Sequence, residues 1–252
     1  KLESQAFDQP QSTTLGQKYA ERATQHPAGQ SGYHLLPDGL DAFVARAALA
    51  QIAEKSIDSQ YYMVHGDLVG LLYMDQLLKA ADRGVKVRFL IDDMDEGGRD
   101  FTLAKFDFHP NIEVRIFNPF GRNTGKTMQF LTGFGKQTRR AHNKSYTVDN
   151  IATILGGRNI GDEYFDADGV MDFADLDVLG IGPVAQHVSL SFDQYWKHQL
   201  SYPISLLAKE HPTEEDYRQG RAKLEKYITE QSESVYIKSL RDSAFANSVR
   251  KK

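Results

Sequence analysis

His142-Asn143-Lys144-Ser145-Tyr146-Thr147-Val148-Asp149, followed by Ile151 to Leu155 and then Gly156-Gly157-Arg158-Asn159, is the stretch that organises the rest of this chain. An imidazole and an ammonium stand two residues apart in an apolar-alternating run. In a β-strand residues i and i+2 share a face, so His142 and Lys144 project together. Asp149-Asn150 predicts the turn of a hairpin whose second strand reaches Leu155, and Gly156-Gly157 then lets the backbone bend sharply. Asn159 adds a side-chain amide donor. A nucleophilic nitrogen, a fixed cation and an amide donor suit a substrate with anionic oxygens around an electrophile, above all a phosphodiester. A lone His-x-Lys is usually a solvated strand edge. The fixed offsets to Asp149 and to Gly156-Gly157-x-Asn159 set this one apart.

Upstream, the chain reads as alternating strands and helices. Gly32 to Leu36 is a strand ending at Pro37. Asp38 is a suitable N-cap for a helix carrying Leu40, Phe43, Val44 and Ala47 on one face. Ser56 to Val64 is a strand weighted by Tyr61 and Tyr62. Asp67 caps a second helix with Leu71, Met74, Leu78 and Ala81 on its face, and Gly84 stands at its C-cap position. Val85 to Ile91 alternates through a strand ending at Asp92-Asp93, Phe101 to Phe108 is a short helix, and Ile112 to Phe117 another strand. This order predicts an α/β sandwich around a mixed or parallel sheet.

Composition sets the bounds. With 40% hydrophobic and 25% charged residues, the 252-residue chain can build a sizeable core. A net charge of −4 gives no global attraction for nucleic acid, so any anion site must be a local patch. Cysteine is absent, which excludes disulfides and thiolate-bound metal. No apolar run approaches transmembrane length and no signal peptide is read. Because the chain begins at Lys1 rather than Met, that says little about targeting. The expected division is a polar lead-in at 1–31, an α/β unit at 32–200, and a linker with a helical tail at 201–252.

Asn118 to Arg140 interrupts the pattern with glycines, cations and the apolar residues Met128, Phe130, Leu131 and Phe134. One reading is a loop packed on the body. The other is a flap whose apolar side chains contact a membrane while its cations meet head groups. Arg139 and Arg140, just before His142, are candidates for binding phosphate or a head group, or are simply solvated. Farther on, Phe173 to Ile181 predicts a strand with Phe173, Asp175, Asp177 and Leu179 on one face; carboxylates there need partners unless the strand is a wet edge. Pro183 opens a helix through Val184, Val188, Phe192 and Trp196. Thr213, ahead of Glu214, Glu215 and Asp216, begins another running to about Thr229.

His142-x-Lys144, Asp149 and Gly156-Gly157-x-Asn159 resemble the HKD motif of the phospholipase D superfamily. Gly32 to Gln199 resembles more narrowly the amino-terminal half of bacterial cardiolipin synthases, the cardiolipin synthase C branch in particular. The resemblance implies a phospholipase D-like α/β sandwich with a central mixed β-sheet flanked by helices. It also implies transfer of a phosphatidyl group from one phospholipid to the hydroxyl of another at the membrane of the bacterial envelope, with phosphatidylglycerol and phosphatidylethanolamine as the phospholipid substrates. His142 would attack phosphorus, Lys144 and Asn159 would hold phosphoryl oxygens, and Asp149, Gly156 and Gly157 would support the fold. An acid on the strand before a Gly-Pro step would orient the histidine: Asp177, six residues before Pro183, with Asp175 in reserve. No metal or other cofactor is implied.

The chain departs from that pattern in one respect. Family enzymes carry two such motifs, yet of eight histidines only His142 has lysine two residues on. The expectation is therefore half of a two-part site, completed by a second motif in cis or by a homodimer. Two alternatives stay open: a single-motif dimeric phosphodiester nuclease, against which the acidic balance counts, and a catalytically silent half-domain that binds a membrane or partner.

Overall fold

The computed structural model describes residues 4–94, 99–122, 139–169 and 173–250. The described strands are β1 (Gly32–Leu36), β2 (Ser56–Tyr61), β3 (Lys86–Asp92), β4 (Ile112–Phe117), β5 (Ser145–Val148), β6 (Ala152–Gly156), β7 (Asp177–Ile181) and β8 (Ser201–Pro203). They form one sheet in the order β1-β7-β6-β5-β2-β3-β4-β8. The β2, β3 and β4 strands are parallel, as crossover helices require, and every other pairing is antiparallel. The sheet is therefore mixed, as expected. The helices are α1 (Thr14–Ala23), α2 (Gly39–Ile52), α3 (Leu68–Asp82), α4 (Asp100–Asp107), α5 (Pro183–Trp196), α6 (Glu214–Gln231), α7 (Val235–Asp242) and α8 (Ala244–Arg250). None of the described helices is long and apolar enough to cross a membrane.

The central strand β3 explains how the layers form. Phe89 and Ile91 enter the main core with Phe43, Leu72, Leu77 and Tyr146, while Leu90 joins Phe117, Phe192 and Trp196 on the opposite face. A strand covered on both sides reads as a nearly continuous apolar run. Arg88, within that strand, is buried between Asp58 and Asp193 at 2.7 Å from each, with Phe192 and Trp196 against its guanidinium.

The β5–β6 hairpin turns where expected. Asp149 and Asn150 sit at φ 51° and 52°, which short polar side chains tolerate, and with Ile151 they form the loop between Val148 and its partner Ala152. Asp149 is fully buried, and its carboxylate accepts the N–H groups of Glu54 (3.0 Å), Lys55 (2.7 Å) and Ser56 (2.9 Å). It ties the hairpin to the start of β2, so its work is structural.

Several expectations change. Residues 201–212 read as a linker, yet Ser201–Pro203 pairs with β4 and extends the sheet, a role too short to leave a periodic signature. The lead-in is docked: Trp196 donates to the Ser4 hydroxyl at 2.9 Å and Asn150 to the Phe7 carbonyl at 2.7 Å. The tail helices supply Tyr236 and Leu240 to the core. Regular pairing in the strand expected at 173–181 begins only at Asp177, so Asp175 and Asp177 do not share a strand face. That strand is no wet edge either, for β7 lies between β1 and β6.

Asp177 is fully buried and is held by Arg46 at 2.8 Å and Arg158 at 3.7 Å, not by His142. Burial works against the charge on Arg46, but Tyr61 and Asp177 outweigh it and hold the guanidinium above its ordinary value. Removing one member of a buried pair strands the other, at a cost of about 3–5 kcal/mol. Asp177→Ala is expected to lower stability by about that amount, read as a shifted urea midpoint. A change within about 0.5 kcal/mol would show that the pair contributes nothing net.

Candidate active site

Two loops and the end of one strand meet at His142. The first loop is the extended segment entering β5. Asp92, at the end of β3 and fully buried, accepts the Ala141 N–H at 2.8 Å and binds the Arg140 guanidinium at 2.9 Å. Arg140 also donates to the Asn118 carbonyl and lies 4.5 Å from the Phe120 ring centre. Its charge is thus engaged in anchoring the main chain just before His142, a structural task rather than the head-group contact expected for it. Arg139 is exposed, with its carbonyl accepting from Asn118 at 2.8 Å. Met128, Phe130, Leu131 and Phe134, the expected membrane contacts, lie outside the described residues.

From this anchored backbone His142 projects into solvent while Lys144 turns inward, 7% exposed. The two meet with Lys144 Nζ 3.1 Å from His142 Nε2, and Nζ also donates to the His142 carbonyl at 3.0 Å. An ammonium can only donate, so Nε2 carries the lone pair and Nδ1 the proton. Partial burial, then the Lys144 charge, hold His142 below its ordinary pKa. The imidazole is therefore predominantly neutral and nucleophilic at neutral pH. Burial likewise lowers Lys144, while the charge of Asp175 works in the other direction.

The second loop carries the glycines. A Cβ on Gly156 would lie 1.8 Å from Asp177 Oδ1, and one on Gly157 would lie 2.0 Å from Asp175 Oδ1. Each glycine leaves room for a carboxylate, Asp177 at the start of β7 and Asp175 just before it. Neither carboxylate bonds to His142; Asp175 is the one whose charge acts on Lys144. Asn159 is buried, accepting the Met63 N–H at 3.2 Å and donating to the Tyr164 hydroxyl at 3.0 Å. It makes no hydrogen bond to His142 or Lys144 in this structure. Arg158, also buried, donates to the Tyr164 and Leu36 carbonyls and locks the loop.

The third contribution, at the end of β2, is not assigned from the sequence. The Tyr62 ring stands 4.8 Å from the His142 ring between centroids, inclined at 62°, with Lys144 Nζ 5.5 Å from its centre. Beyond it, His65, Asp67 and Glu163 bring possible metal-ligand atoms within 4.8 Å of one another. Asp67 already accepts the N–H groups of Gly70 and Asp162, and His65 lies 3.2 Å from Glu163. That trio braces the loop after Asn159.

The family described as Cardiolipin synthase, PLD-like domain matches residues 47–196. Cardiolipin synthase C of Escherichia coli (strain K12) is 49% identical over 181 residues, covering 72% of this chain and 38% of the relative. An uncharacterized protein of Helicobacter pylori (strain ATCC 700392 / 26695) is 45% identical over 202 residues, covering 79% and 40% respectively. The chain thus spans about two fifths of the length of the curated relatives it matches. Among solved structures, the phosphatidylserine synthase of Haemophilus influenzae Rd KW20 superposes with a TM-score of 0.50 at 14% identity, over 85% of this chain and 48% of that one. That likeness speaks to the fold alone.

Proposed function

This chain belongs to the phospholipase D-like family of cardiolipin synthase domains, and we propose that it supplies one of two half-sites for phosphatidyl transfer at a membrane surface. The observation that carries the reading is the 3.1 Å approach of the buried Lys144 ammonium to Nε2 of the exposed, neutral His142. A phosphorus brought to Nε2 places one of its oxygens at Nζ, where a fixed cation stabilises charge gained in the transition state.

In the first step the Nε2 lone pair bonds to phosphorus and the P–O bond to the departing alcohol breaks. That alcohol leaves with a proton from a general acid. In the second, the hydroxyl of another phospholipid loses its proton to the same group and attacks phosphorus; the P–N bond breaks and His142 returns to neutrality. Lys144 holds the phosphoryl oxygens throughout. The Asn159 amide, which has a second hydrogen besides the one given to Tyr164, donates to the same oxygens. Asp175 keeps Lys144 charged. Phosphatidylglycerol and phosphatidylethanolamine are the phospholipid substrates the family resemblance implies, and Arg139 remains a candidate head-group contact.

The test is a product analysis by mass spectrometry on a longer protein containing this chain. It is incubated with phosphatidylglycerol vesicles and, separately, with DNA. Cardiolipin formation with intact DNA is the expected result. Strand cleavage without lipid product would replace this reading with a nuclease, and vesicle binding without turnover would make the domain catalytically silent.

A further inference from the structure

We propose that Tyr62 is a positioning residue for His142, its ring acting as the wall that keeps the imidazole aimed at the phosphoryl site. This rests on the phosphatidyl-transfer reading above and adds a residue to it. The argument begins with the backbone around Tyr62. On one side Tyr61 is fully buried, and Arg46 donates to its hydroxyl at 2.9 Å. On the other, the Met63 N–H is held by Asn159 at 3.2 Å, and the His65 N–H by the Ile160 carbonyl at 2.7 Å. The end of β2 is therefore pinned on both flanks, and Tyr62 is the side chain it turns toward the site. Asn159 does not touch His142, yet through Met63 it fixes the residue that does.

The ring does two things. It stands 4.8 Å from the imidazole centre, restricting an otherwise exposed side chain with two free torsions. It also has Lys144 Nζ over it at 5.5 Å, so a single π-system stands beside both the cation and the nucleophile. When neutral His142 bonds to phosphorus through Nε2, the imidazole ring gains positive charge. An aromatic quadrupole already in contact favours that charge more than the neutral ring. The benefit falls on the transition state and the intermediate, not on the bound substrate, so it belongs in kcat rather than KM.

The experiment compares Tyr62→Leu and Tyr62→Phe with wild type on phosphatidylglycerol vesicles, using the longer protein with both half-sites. Tyr62→Leu is expected to lower kcat by about 3- to 30-fold with KM unchanged. Tyr62→Phe, which keeps the ring, should restore it. Unchanged kcat in Tyr62→Leu, an equal loss in both variants, or a loss confined to KM would each overturn the proposal. An NMR measurement of the His142 side chain supplies a readout independent of turnover. One χ1 rotamer in wild type, with ring-to-ring cross-relaxation from Tyr62, supports the wall; rotamer averaging in wild type overturns it, even if Tyr62→Leu fails to fold. Absence of phosphatidyl transfer by the wild-type protein would instead count against the proposed function, while the NMR result would still decide the role of the ring.

Discussion

His142→Ala, placed in a protein with both half-sites, is expected to abolish phosphatidyl transfer while leaving the fold intact. Removing a covalent nucleophile costs on the order of 10⁴- to 10⁶-fold where residues act as a unit. The same substitution deletes an exposed side chain whose ring hydrogen-bonds, among the described residues, to Lys144, so its effect on stability should be within about 0.5 kcal/mol. The two readouts separate chemistry from folding. Turnover on vesicles should vanish, and a radiolabelled phosphatidyl group that remains acid-labile on the wild-type protein should no longer be trapped. Thermal denaturation should superimpose on wild type. Turnover within tenfold of wild type would end the phosphohistidine reading outright. Asp177→Ala is expected to show the reverse pattern, because its carboxylate is committed to Arg46 deep in the core.

That contrast shows which parts of the site were legible in the sequence. The closeness of His142 and Lys144 was, because the two stand only two residues apart, although β5 begins at Ser145 and the pair lies on the segment before it rather than on one strand face. The turn at Asp149-Asn150 was, because few residue types accept a positive φ. The alternating strands and helices up to Phe117 were, because short apolar runs and helical spacing with caps mark them along the chain. The role of Asp177 was not. The sequence showed a carboxylate in an apolar setting that must find a partner, but which partner is a matter of packing across 131 positions of chain. The other half of that clue lay in α2, where Arg46 interrupts the apolar run Ala42-Phe43-Val44-Ala45 and Ala47-Ala48-Leu49-Ala50. Two buried charges of opposite sign on facing elements could have been matched to each other before either was matched to the histidine.

Gly156 and Gly157 teach a related lesson. Their presence predicted a bend, yet both are required for lack of a Cβ: each lies where an incoming carboxylate would collide with one. Asp92 was visible as one of two acids ending an apolar strand, and its task of holding the Ala141 N–H depends on where the chain returns after Asn118. Tyr62 was hidden for a simpler reason. Adjacent aromatics in a strand look alike, and only the pleat decides that Tyr61 enters the core while Tyr62 meets His142.

The chain alone is expected to have little or no activity on monomeric phosphodiesters, and to regain it when mixed with a separately made second half. The route through phosphohistidine needs a proton for the departing alkoxide, and general acid help is worth about 10²–10⁴-fold. Lys144 is poorly suited to give that proton, since it must stay cationic to hold the phosphoryl oxygens. His65, the other imidazole near the loop, is set against Glu163 at 3.2 Å and Asp67 at 3.8 Å. The acid is therefore expected from a second motif, brought to the open side of His142 by another part of a longer chain or by a second copy about a two-fold axis. Complementation distinguishes these. Turnover that rises linearly with added second half, and saturates at equimolar ratio, identifies a heterologous partner. Turnover that rises with the square of the concentration of this chain alone identifies a homodimer. Full activity from a species that sediments as a monomer at every concentration would mean that one motif suffices, and the half-site proposal would fail.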